Sequence, residues 1–219
     1  MTDLEAVERR ISRRSYLETP LEPFTSGALL TLVGEYNRRA GLRIELVREG
    51  AEAFRGFRRS YGMFSGVNSY FAMAGRRADL CLREKVGYWG EKLVLEAVKL
   101  GLGTCWVGGT FDRAACPCRL LPEEELVCVI TVGHVAGEPG GKERLIRRVA
   151  RRSTKPLEAL YDAGGETPPG WFMVGMRAVR RAPSALNRQP AAFSWRETSS
   201  MTAVRTASGP LAMSTRKLV

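Results

Sequence analysis

Residues 87–109 read Gly-Tyr-Trp-Gly-Glu-Lys-Leu-Val-Leu-Glu-Ala-Val-Lys-Leu-Gly-Leu-Gly-Thr-Cys-Trp-Val-Gly-Gly, and the rest of the chain is organised around them. At about 100° per residue, the apolar side chains fill an arc of the helical wheel wider than a surface helix needs. The pattern predicts a helix buried on most sides, which Gly101 and Gly103 end. A short strand, 104–107, then leads to Gly108 and Gly109. Glycines at a strand end let main-chain N–H groups approach a ligand, although a core helix followed by a tight turn explains the same residues.

The bulk composition is that of a globular protein. The 219 residues, 44% hydrophobic and 26% charged, are enough for one core. No apolar run is long enough to span a bilayer, and residues 1–14 are charged rather than signal-like. We therefore expect one domain, no membrane segment and a cytoplasmic location.

The five cysteines and the single histidine, His134, limit the chemistry of the chain. An odd, unevenly spaced set of cysteines argues against a disulfide framework. Structural zinc sites favour paired Cys-x₂₋₄-Cys ligands, which are missing here, so no metal site is predicted. A zinc site remains the alternative, with candidate ligands Cys105, Cys116, Cys118 and Cys128. One histidine also gives little support for a Cys–His catalytic pair.

The net charge of +11 is the strongest compositional signal. Lys and Arg cluster in residues 9–14, 142–155 and 177–188, which suits an anionic small ligand, a nucleic-acid backbone or a solvated basic surface. Aromatic residues do not interleave with these clusters, as a stacking platform for single strands requires. A nucleic-acid partner is therefore not favoured.

A capping-box spacing of Thr2 and Glu5 begins the first predicted helix. The helix is expected to end in Arg13-Arg14-Ser15. Two guanidinium groups and a hydroxyl at a helix-to-loop junction can hold a phosphate. Such runs are also common on solvated faces, so the triplet alone leaves both interpretations open.

The remaining pattern mixes helices and strands. Helices are predicted over about 26–39, 142–152 and 171–178, with a short helical or irregular piece over 51–57 and a glycine turn over 61–66. Further strands are predicted over 44–47, 67–74, 126–135 and 191–195. Residues 162–170, rich in Gly and Pro, are a predicted linker, and residues 198–219 have little periodicity.

The segment Pro183-Ser184-Ala185-Leu186-Asn187-Arg188-Gln189-Pro190 forms a predicted turn with a proline at each end. Its Ser, Asn and Gln side chains can present donors and acceptors to the polar edge of a heterocycle. Ser and Asn are equally common where a backbone must be stopped, which is the structural alternative.

Taken together, three separated motifs resemble the FMN-dependent nitroreductase family. They are the triplet 13–15, the segment Gly101-Leu102-Gly103-Thr104-Cys105-Trp106, and the turn 183–190. In most of that family the Pro-Ser turn follows soon after the triplet. Here it comes after the central helix, an order that resembles a single-chain branch in which residues 87–92 also match. The resemblance covers about residues 7–196.

The resemblance implies FMN as the cofactor. In the family the triplet holds the FMN phosphate, the strand after the central helix donates N–H groups near flavin N5 and O4, and the Pro-Ser turn lies against the isoalloxazine and ribityl chain. The matching residues are Arg13, Arg14 and Ser15 for the phosphate, Val107, Gly108 and Gly109 for the N–H donors, and Pro183, Ser184, Asn187 and Gln189 for the turn. A late basic pair helps with the phosphate, for which Arg152 and Lys155 are candidates.

The resemblance also implies the fold: α+β, with a mixed sheet flanked by helices around a central buried helix and an internal pseudo-two-fold. The expected FMN-binding domain spans 1–197, with halves at about 1–161 and 171–197 joined by the linker 162–170. Ordinary nitroreductases are homodimers, so this chain is expected to mimic the dimer as a monomer with one FMN. The single-chain branch continues with a further helix that residues 198–219 do not match, which predicts a truncated last element.

The implied activity is an NAD(P)H-dependent oxidoreductase. Hydride passes from NAD(P)H to the flavin and then, in a ping-pong cycle, to a nitroaromatic or quinone-type acceptor. The flavin carries this chemistry, so no catalytic side chain is predicted. The alternatives are a non-catalytic or truncated flavin-binding protein of the same fold, and a basic nucleic-acid-binding module.

Overall fold

The computed structural model describes residues 1–55, 63–152, 154–195 and 202–205, and the chain divides into two compact units, Met1–Arg144 and Leu145–Val219. The helices are α1 (Asp3–Arg9), α2 (Pro23–Ala40), α3 (Leu82–Lys99), α4 (Gly141–Arg152) and α5 (Gly170–Arg181). The strands are β1 (Leu42–Val47), β2 (Ser69–Arg76), β3 (Gly103–Val107), β4 (Glu124–Gly133), β5 (Tyr161–Asp162), β6 (Ala191–Ser194) and β7 (Thr202–Arg205). Three short 3₁₀ helices span Ala51–Phe54, Leu157–Leu160 and Ala185–Asn187.

The start of α1 is as the sequence predicts, but its end is not. Thr2 is the N-cap and forms the capping box with Glu5. The helix ends at Arg9, so the prediction that it runs to the Arg13-Arg14-Ser15 triplet is wrong. The backbone leaves helical geometry at Arg10 because the following residues pair with neighbouring strands instead, and the triplet lies in an extended segment.

The first unit is built on a four-stranded antiparallel sheet in the order β1-β2-β4-β3. Successive residues of β2 point to opposite faces of the sheet, and both faces are buried. Phe71 and Met73 pack with α2 and α3 on one face, whereas Tyr70 and Ala72 pack with Phe54 on the other. A sheet covered on both faces gives β3 and β4 a rigid frame.

Helix α3 covers one face of this sheet with a stripe of buried residues. The stripe consists of Leu82, Val86, Gly90, Leu93, Val94 and Ala97. It is narrower than the sequence indicates, because three residues of the predicted apolar arc are not buried: Leu100 is 39% exposed, and Trp89 and Val98 are half-buried. On the polar side, Lys99 Nζ lies 2.7 Å from Glu96 Oε1 and 2.6 Å from Asp3 Oδ1 of α1, so ion pairs join the two helices.

The second unit has its own small core. Strand β6 pairs in parallel with β5 and antiparallel with β7. Leu160, Phe172 and Met176 form the buried centre, and Phe193 of β6 packs against it. Strand β7 lies within residues 198–219, for which the sequence predicts no regular element; the rest of that tail lies outside the described residues.

The predicted α+β class is confirmed, with helices flanking an antiparallel sheet in the first unit and a mixed sheet in the second. Every helix and strand predicted between residues 26 and 195 overlaps an observed one, and the predicted bounds differ from the observed bounds by a few residues. Residues 56–57 and 61–62, parts of two predicted segments, lie outside the described residues.

Candidate functional site

The segment after α1 runs along the outer edge of β3 and then beside Ser65. Ser12 pairs with Thr104, and the Arg13 N–H donates to the Thr104 carbonyl at 2.8 Å. Further on, the Ser65 N–H donates to the carbonyl of Arg14 at 2.9 Å. The triplet is therefore held in extended backbone from both sides.

Gly103 allows this close approach. A Cβ at Gly103 would lie 2.4 Å from Val135 Cγ1, which is too close, and 3.0 Å from Arg13 Cγ, which is a tight contact. The glycine of the predicted Gly-Leu-Gly-Thr motif therefore serves the packing of Arg13 against β3.

The triplet surrounds a buried carboxylate that the sequence analysis did not identify. Glu143, in the first turn of α4, is 1% exposed. Its Oε1 accepts hydrogen bonds from the main-chain N–H of Arg14 and, at 2.9 Å, of Ser15. Its Oε2 accepts one from Gly140 at 3.2 Å and lies 3.4 Å from Arg13 Nε. Glu143 thus fixes the triplet by charge and by two hydrogen bonds, and a third hydrogen bond ties the carboxylate to Gly140.

The pKa of Glu143 follows from these contacts. Burial by itself would raise the pKa of this carboxyl, since it disfavours the charged form. The hydrogen bonds from the Arg14 and Ser15 N–H groups, followed by the Arg13 charge, outweigh burial and lower the pKa below the usual 4.5. Glu143 is therefore a carboxylate at neutral pH.

The three side chains of the triplet have different surroundings. Arg13 is 6% exposed and its Nη2 donates to the Ala136 carbonyl at 2.9 Å. Its Nε is buried and, among the described residues, has no hydrogen-bond acceptor, although Glu143 lies within ion-pair distance. Arg14 and Ser15 are half-buried, and their side chains make no hydrogen bond or ion pair to any residue that the structure describes. The donors open to a ligand are thus on Arg14 and Ser15.

The glycine pair at the end of β3 is exposed. Val107 is buried, but Gly108 and Gly109 face solvent, and a Cβ at either would meet no atom within 4 Å. Within the described ranges, neither glycine N–H has an acceptor. The Gly108 carbonyl accepts from Arg113 Nη2 at 3.1 Å. The predicted N–H donors are therefore accessible, and the hydrogen bond from Arg113 fixes the backbone at Gly108.

Glu91, at the edge of the apolar arc of α3, binds β3. Its Oε2 accepts a hydrogen bond from the Trp106 indole N–H at 2.9 Å, and its Oε1 lies 3.6 Å from Arg10 Nε. The Trp106 ring lies against Gly90, where a Cβ would come within 2.4 Å of the indole. One carboxylate thus links the central helix, β3 and the segment before the triplet.

In the second unit, the turn 183–190 is held by its own side chains. Gln189 is 5% exposed, its main-chain N–H donates to Ser184 Oγ at 3.0 Å, and its Nε2 donates to the Arg180 carbonyl at 2.9 Å. Asn187 Nδ2 donates to Thr154 Oγ1 at 3.1 Å. Asn187 and Gln189 have φ of 53° and 44°, in the left-handed region that residues other than glycine rarely adopt.

Lys155 joins this turn, as one of the two predicted basic candidates. Its main-chain N–H donates to Gln189 Oε1 at 2.7 Å, and its Nζ donates to the Gln189 carbonyl at 2.8 Å. Pro183, the first residue of the turn, is half-buried. Arg152, the other basic candidate, is the last residue of α4, and its side chain lies outside the described part of the structure.

Of the residues that the sequence analysis missed, Glu143 carries a usable signal. It is the only acidic residue in the basic run 142–155, and the helix dipole stabilises an acidic residue in the first turn of a helix. Arg113 carries no signal of this kind, because its carbonyl partners are Gly108, Leu126 and Val127, and only the fold shows their positions.

Among the described residues, no helix is long and apolar enough to cross a membrane. Within the same ranges, no group of three or more His, Cys, Asp or Glu side chains is placed to hold a metal ion.

Comparison with known proteins gives both a fold and a family. A Thermotoga maritima protein described as a putative nitroreductase superposes with a TM-score of 0.58 at 20% identity, over 90% of this chain and 73% of that one. A nitroreductase family protein of Clostridium difficile 630 superposes with a TM-score of 0.50 at 18% identity, over 77% of this chain and 100% of that one. These likenesses show a shared fold.

No curated protein matches the sequence. The family model described as "Putative TM nitroreductase" matches residues 3–213, nearly the whole chain. With the motifs at 13–15, 101–106 and 183–190, this match confirms the predicted resemblance, and the chain belongs to that nitroreductase family.

Proposed function

We propose that this protein is an FMN-dependent oxidoreductase that takes electrons from NAD(P)H and passes them to a small electron-poor acceptor, such as a nitroaromatic or a quinone. The observation that carries the proposal is the pair of half-buried side chains, Arg14 and Ser15, which have no partner among the described residues. They stand on a segment that is fixed against a rigid sheet. Membership of the nitroreductase family supports the same function.

Arg14 and Ser15 suit the FMN phosphate. A guanidinium fork and a hydroxyl are strong donors to phosphate oxygens. Arg13 is already engaged by Glu143 and Ala136, so its proposed part is to hold the segment in place. The Glu143 carboxylate also occupies the main-chain N–H groups of Arg14 and Ser15, so the phosphate would meet the side chains instead.

Gly108 and Gly109 suit the flavin ring. Their exposed N–H groups have no acceptor within the described residues, and nothing lies within 4 Å of the side-chain position of either glycine. A planar ring can approach such backbone closely. The proposed role of the segment from Val107 to Gly109 is to donate to the flavin near N5 and O4.

The turn in the second unit is proposed to contribute contacts to the flavin through Pro183, Ser184 and Asn187. Positive φ at two residues other than glycine costs of order 1–3 kcal/mol each and is typical of functional turns. The side chain of Gln189 and that of Lys155 are bound within the turn, so their proposed part is to keep its shape. Arg152 stays a proposed phosphate contact from the family resemblance.

When bound, FMN supplies the redox chemistry, and the chain supplies binding, orientation and charge. The Gly108 and Gly109 N–H groups would favour negative charge on the flavin pyrimidine. Arg14 would offset the charge of the phosphate. No side chain is assigned as general acid or nucleophile, and His134 lies 3.1 Å from Glu22 rather than beside a nucleophile.

Flavin loading of the purified chain tests this proposal. We expect a yellow protein that bleaches when NAD(P)H is added without oxygen. Arg14→Ala removes a charged hydrogen bond of about 1.5–3 kcal/mol, so FMN affinity should fall by a factor of about ten or more. The matched control is Arg9→Ala, an exposed arginine at the end of α1, which should leave affinity unchanged.

The alternatives give different outcomes. Flavin that binds but is not reduced by NAD(P)H would indicate a non-catalytic flavin-binding protein. A colourless chain that takes up no FMN, or equal FMN affinity in wild type and Arg14→Ala, would contradict the proposal. Size-exclusion chromatography with flavin quantification tests the proposed monomer with one FMN, which an obligate dimer would overturn.

A further inference from the structure

Two cysteines in the connector between β3 and β4 lie in contact. Cys116 Sγ and Cys118 Sγ are 3.3 Å apart, and both residues are half-buried. They pack against the core cluster that contains Tyr70 and Phe111. Pro117 stands between them, fixes its own φ and lacks an N–H, which limits the ways the two cysteines can separate.

The other cysteines have no such arrangement. Cys81 is exposed, and Cys105 and Cys128 are buried in the sheet. Cys116 and Cys118 are the pair joined by a thiol–thiol hydrogen bond among the described cysteines. A half-buried pair is accessible to small reagents in a way that the two strand cysteines are not.

The hydroxyl of Tyr70 is a buried polar group next to the two cysteines. It has no partner with hydrogen-bond geometry among the described residues. Burial, and then the neighbouring Cys116 thiol, raise the pKa of Tyr70. A polar atom left unpaired in a core carries a cost that packing alone does not explain.

The geometry permits a bond between the two sulfurs. Residues two apart in sequence have Cα atoms at most about 7 Å apart, near the upper end of the disulfide range. Closing the bond requires the sulfurs to move about 1.3 Å closer, from 3.3 Å to bonding distance. So small a ring constrains the unfolded chain little and stores strain, which makes such a disulfide easy to reduce.

We propose that Cys116 and Cys118 form a reversible dithiol–disulfide site that exchanges with low-molecular-weight disulfides. The Cys116 thiolate attacks one sulfur of the small disulfide, whose S–S bond breaks and releases one thiol. Cys118 then attacks Cys116 Sγ, its proton passes to the leaving sulfur, and the second thiol is released. The protein loses two electrons and two protons, and the small disulfide gains them.

The order of attack follows from the surroundings of Cys118. Burial, and then the hydrogen bond with Cys116, raise the pKa of Cys118 to about 12. Cys118 is therefore a thiol at neutral pH and the poorer first nucleophile. This inference does not depend on flavin binding.

Mass spectrometry of the wild-type chain tests the proposal. Trypsin releases residues 114–119, which carry both cysteines, and residues 78–83, which carry Cys81 alone. After exposure to oxidised glutathione, the 114–119 peptide should weigh two hydrogens less than its reduced form, and dithiothreitol should restore the mass. The Cys81 peptide is the internal control and should carry a glutathione adduct.

Further outcomes separate this site from others. In Cys118→Ser the intramolecular bond cannot form, so Cys116 should retain a stable glutathione adduct; an unmodified Cys116 would contradict the attack order. Two adducts on the wild-type 114–119 peptide, or none where Cys81 is modified, would overturn the proposal. Stoichiometric Zn²⁺ that protects both thiols would assign the pair to metal binding and overturn it equally.

Discussion

The segment Arg13–Ser15 in the first unit and the turn 183–190 in the second are both sequence motifs of the family, but they are held in different ways. The segment depends on Glu143, which lies 128 residues from Ser15, and on an ion pair with Arg13. The turn depends on Ser184, Gln189 and Lys155, all within 34 residues of each other. One motif is fixed by a remote carboxylate and the other by hydrogen bonds within one unit, none of which involves a carboxylate. The two should therefore fail under different conditions.

The largest effect is expected for Glu143→Gln. Removing one partner of a buried ion pair leaves the other charge unpaired and costs about 3–5 kcal/mol, so the free energy of unfolding at neutral pH should fall by about that amount. Because the folded pKa of Glu143 lies below 4.5, this stabilisation is present above about pH 4.5 and is lost as the pH falls through the folded value. Urea unfolding of the wild type and of Glu143→Gln between neutral and acid pH measures the difference in their free energies of unfolding, which should shrink as the pH falls.

Glu138→Gln is the control for this variant. Glu138 is exposed and lies in the loop that precedes α4, so the free energy of unfolding of Glu138→Gln should differ from that of the wild type by no more than about 0.5 kcal/mol. A loss that is equal in both variants, or that does not vary with pH, would show that Glu143 does not stabilise the segment by charge.

A smaller and pH-independent effect is expected for Gln189→Ala. The change leaves the N–H of half-buried Lys155 and the carbonyl of Arg180 without their side-chain partner, at a cost of about 1–2 kcal/mol. Hydrogen exchange at the Lys155 amide should become faster at every pH. Arg188→Ala, an exposed neighbour in the same turn, should leave that exchange rate unchanged; matching increases in both would refute the role of Gln189.

The smallest effect is expected for Gly103→Ala, which adds a methyl group between Val135 and Arg13. Because the added Cβ would lie 2.4 Å from Val135, neighbouring atoms must move, and the free energy of unfolding should fall by about 1–2 kcal/mol. Gly109→Ala is the matched control, because no atom lies within 4 Å of its Cβ position. The melting temperature of Gly103→Ala should be lower than that of Gly109→Ala. The reverse order would show that the segment does not pack closely on β3.

Much of the fold is predictable because its signals are local. The capping box of Thr2 and Glu5, the left-handed C-cap at Gly41 and the apolar period of α3 each lie within one element. Strand β7 gives no such signal, since its four residues gain their partners only from β6. The end of α1 was mispredicted for the same reason, because β3 and Ser65 hold the chain after Arg9 in extended form.

The candidate site is predictable only as a set of motifs. The residues at 13–15, 107–109 and 183–189 were found from their order along the chain, whereas the different surroundings of Arg13 and Arg14 depend on Glu143. Glu91 illustrates the same limit. A charged residue at the edge of an apolar arc acquires its role only when Trp106 and Arg10 arrive from other elements.

The pairing of Ser12 with Thr104 has a consequence for association between copies of the protein. Strand β3 is an outer strand of its sheet, and an uncovered outer strand is a template for pairing with another chain. The Arg13 N–H bound to Thr104 occupies part of that template. A variant in which this segment detaches from β3 should therefore aggregate more readily. Turbidity of the concentrated protein solution would reveal this change before any loss of ligand binding was measured.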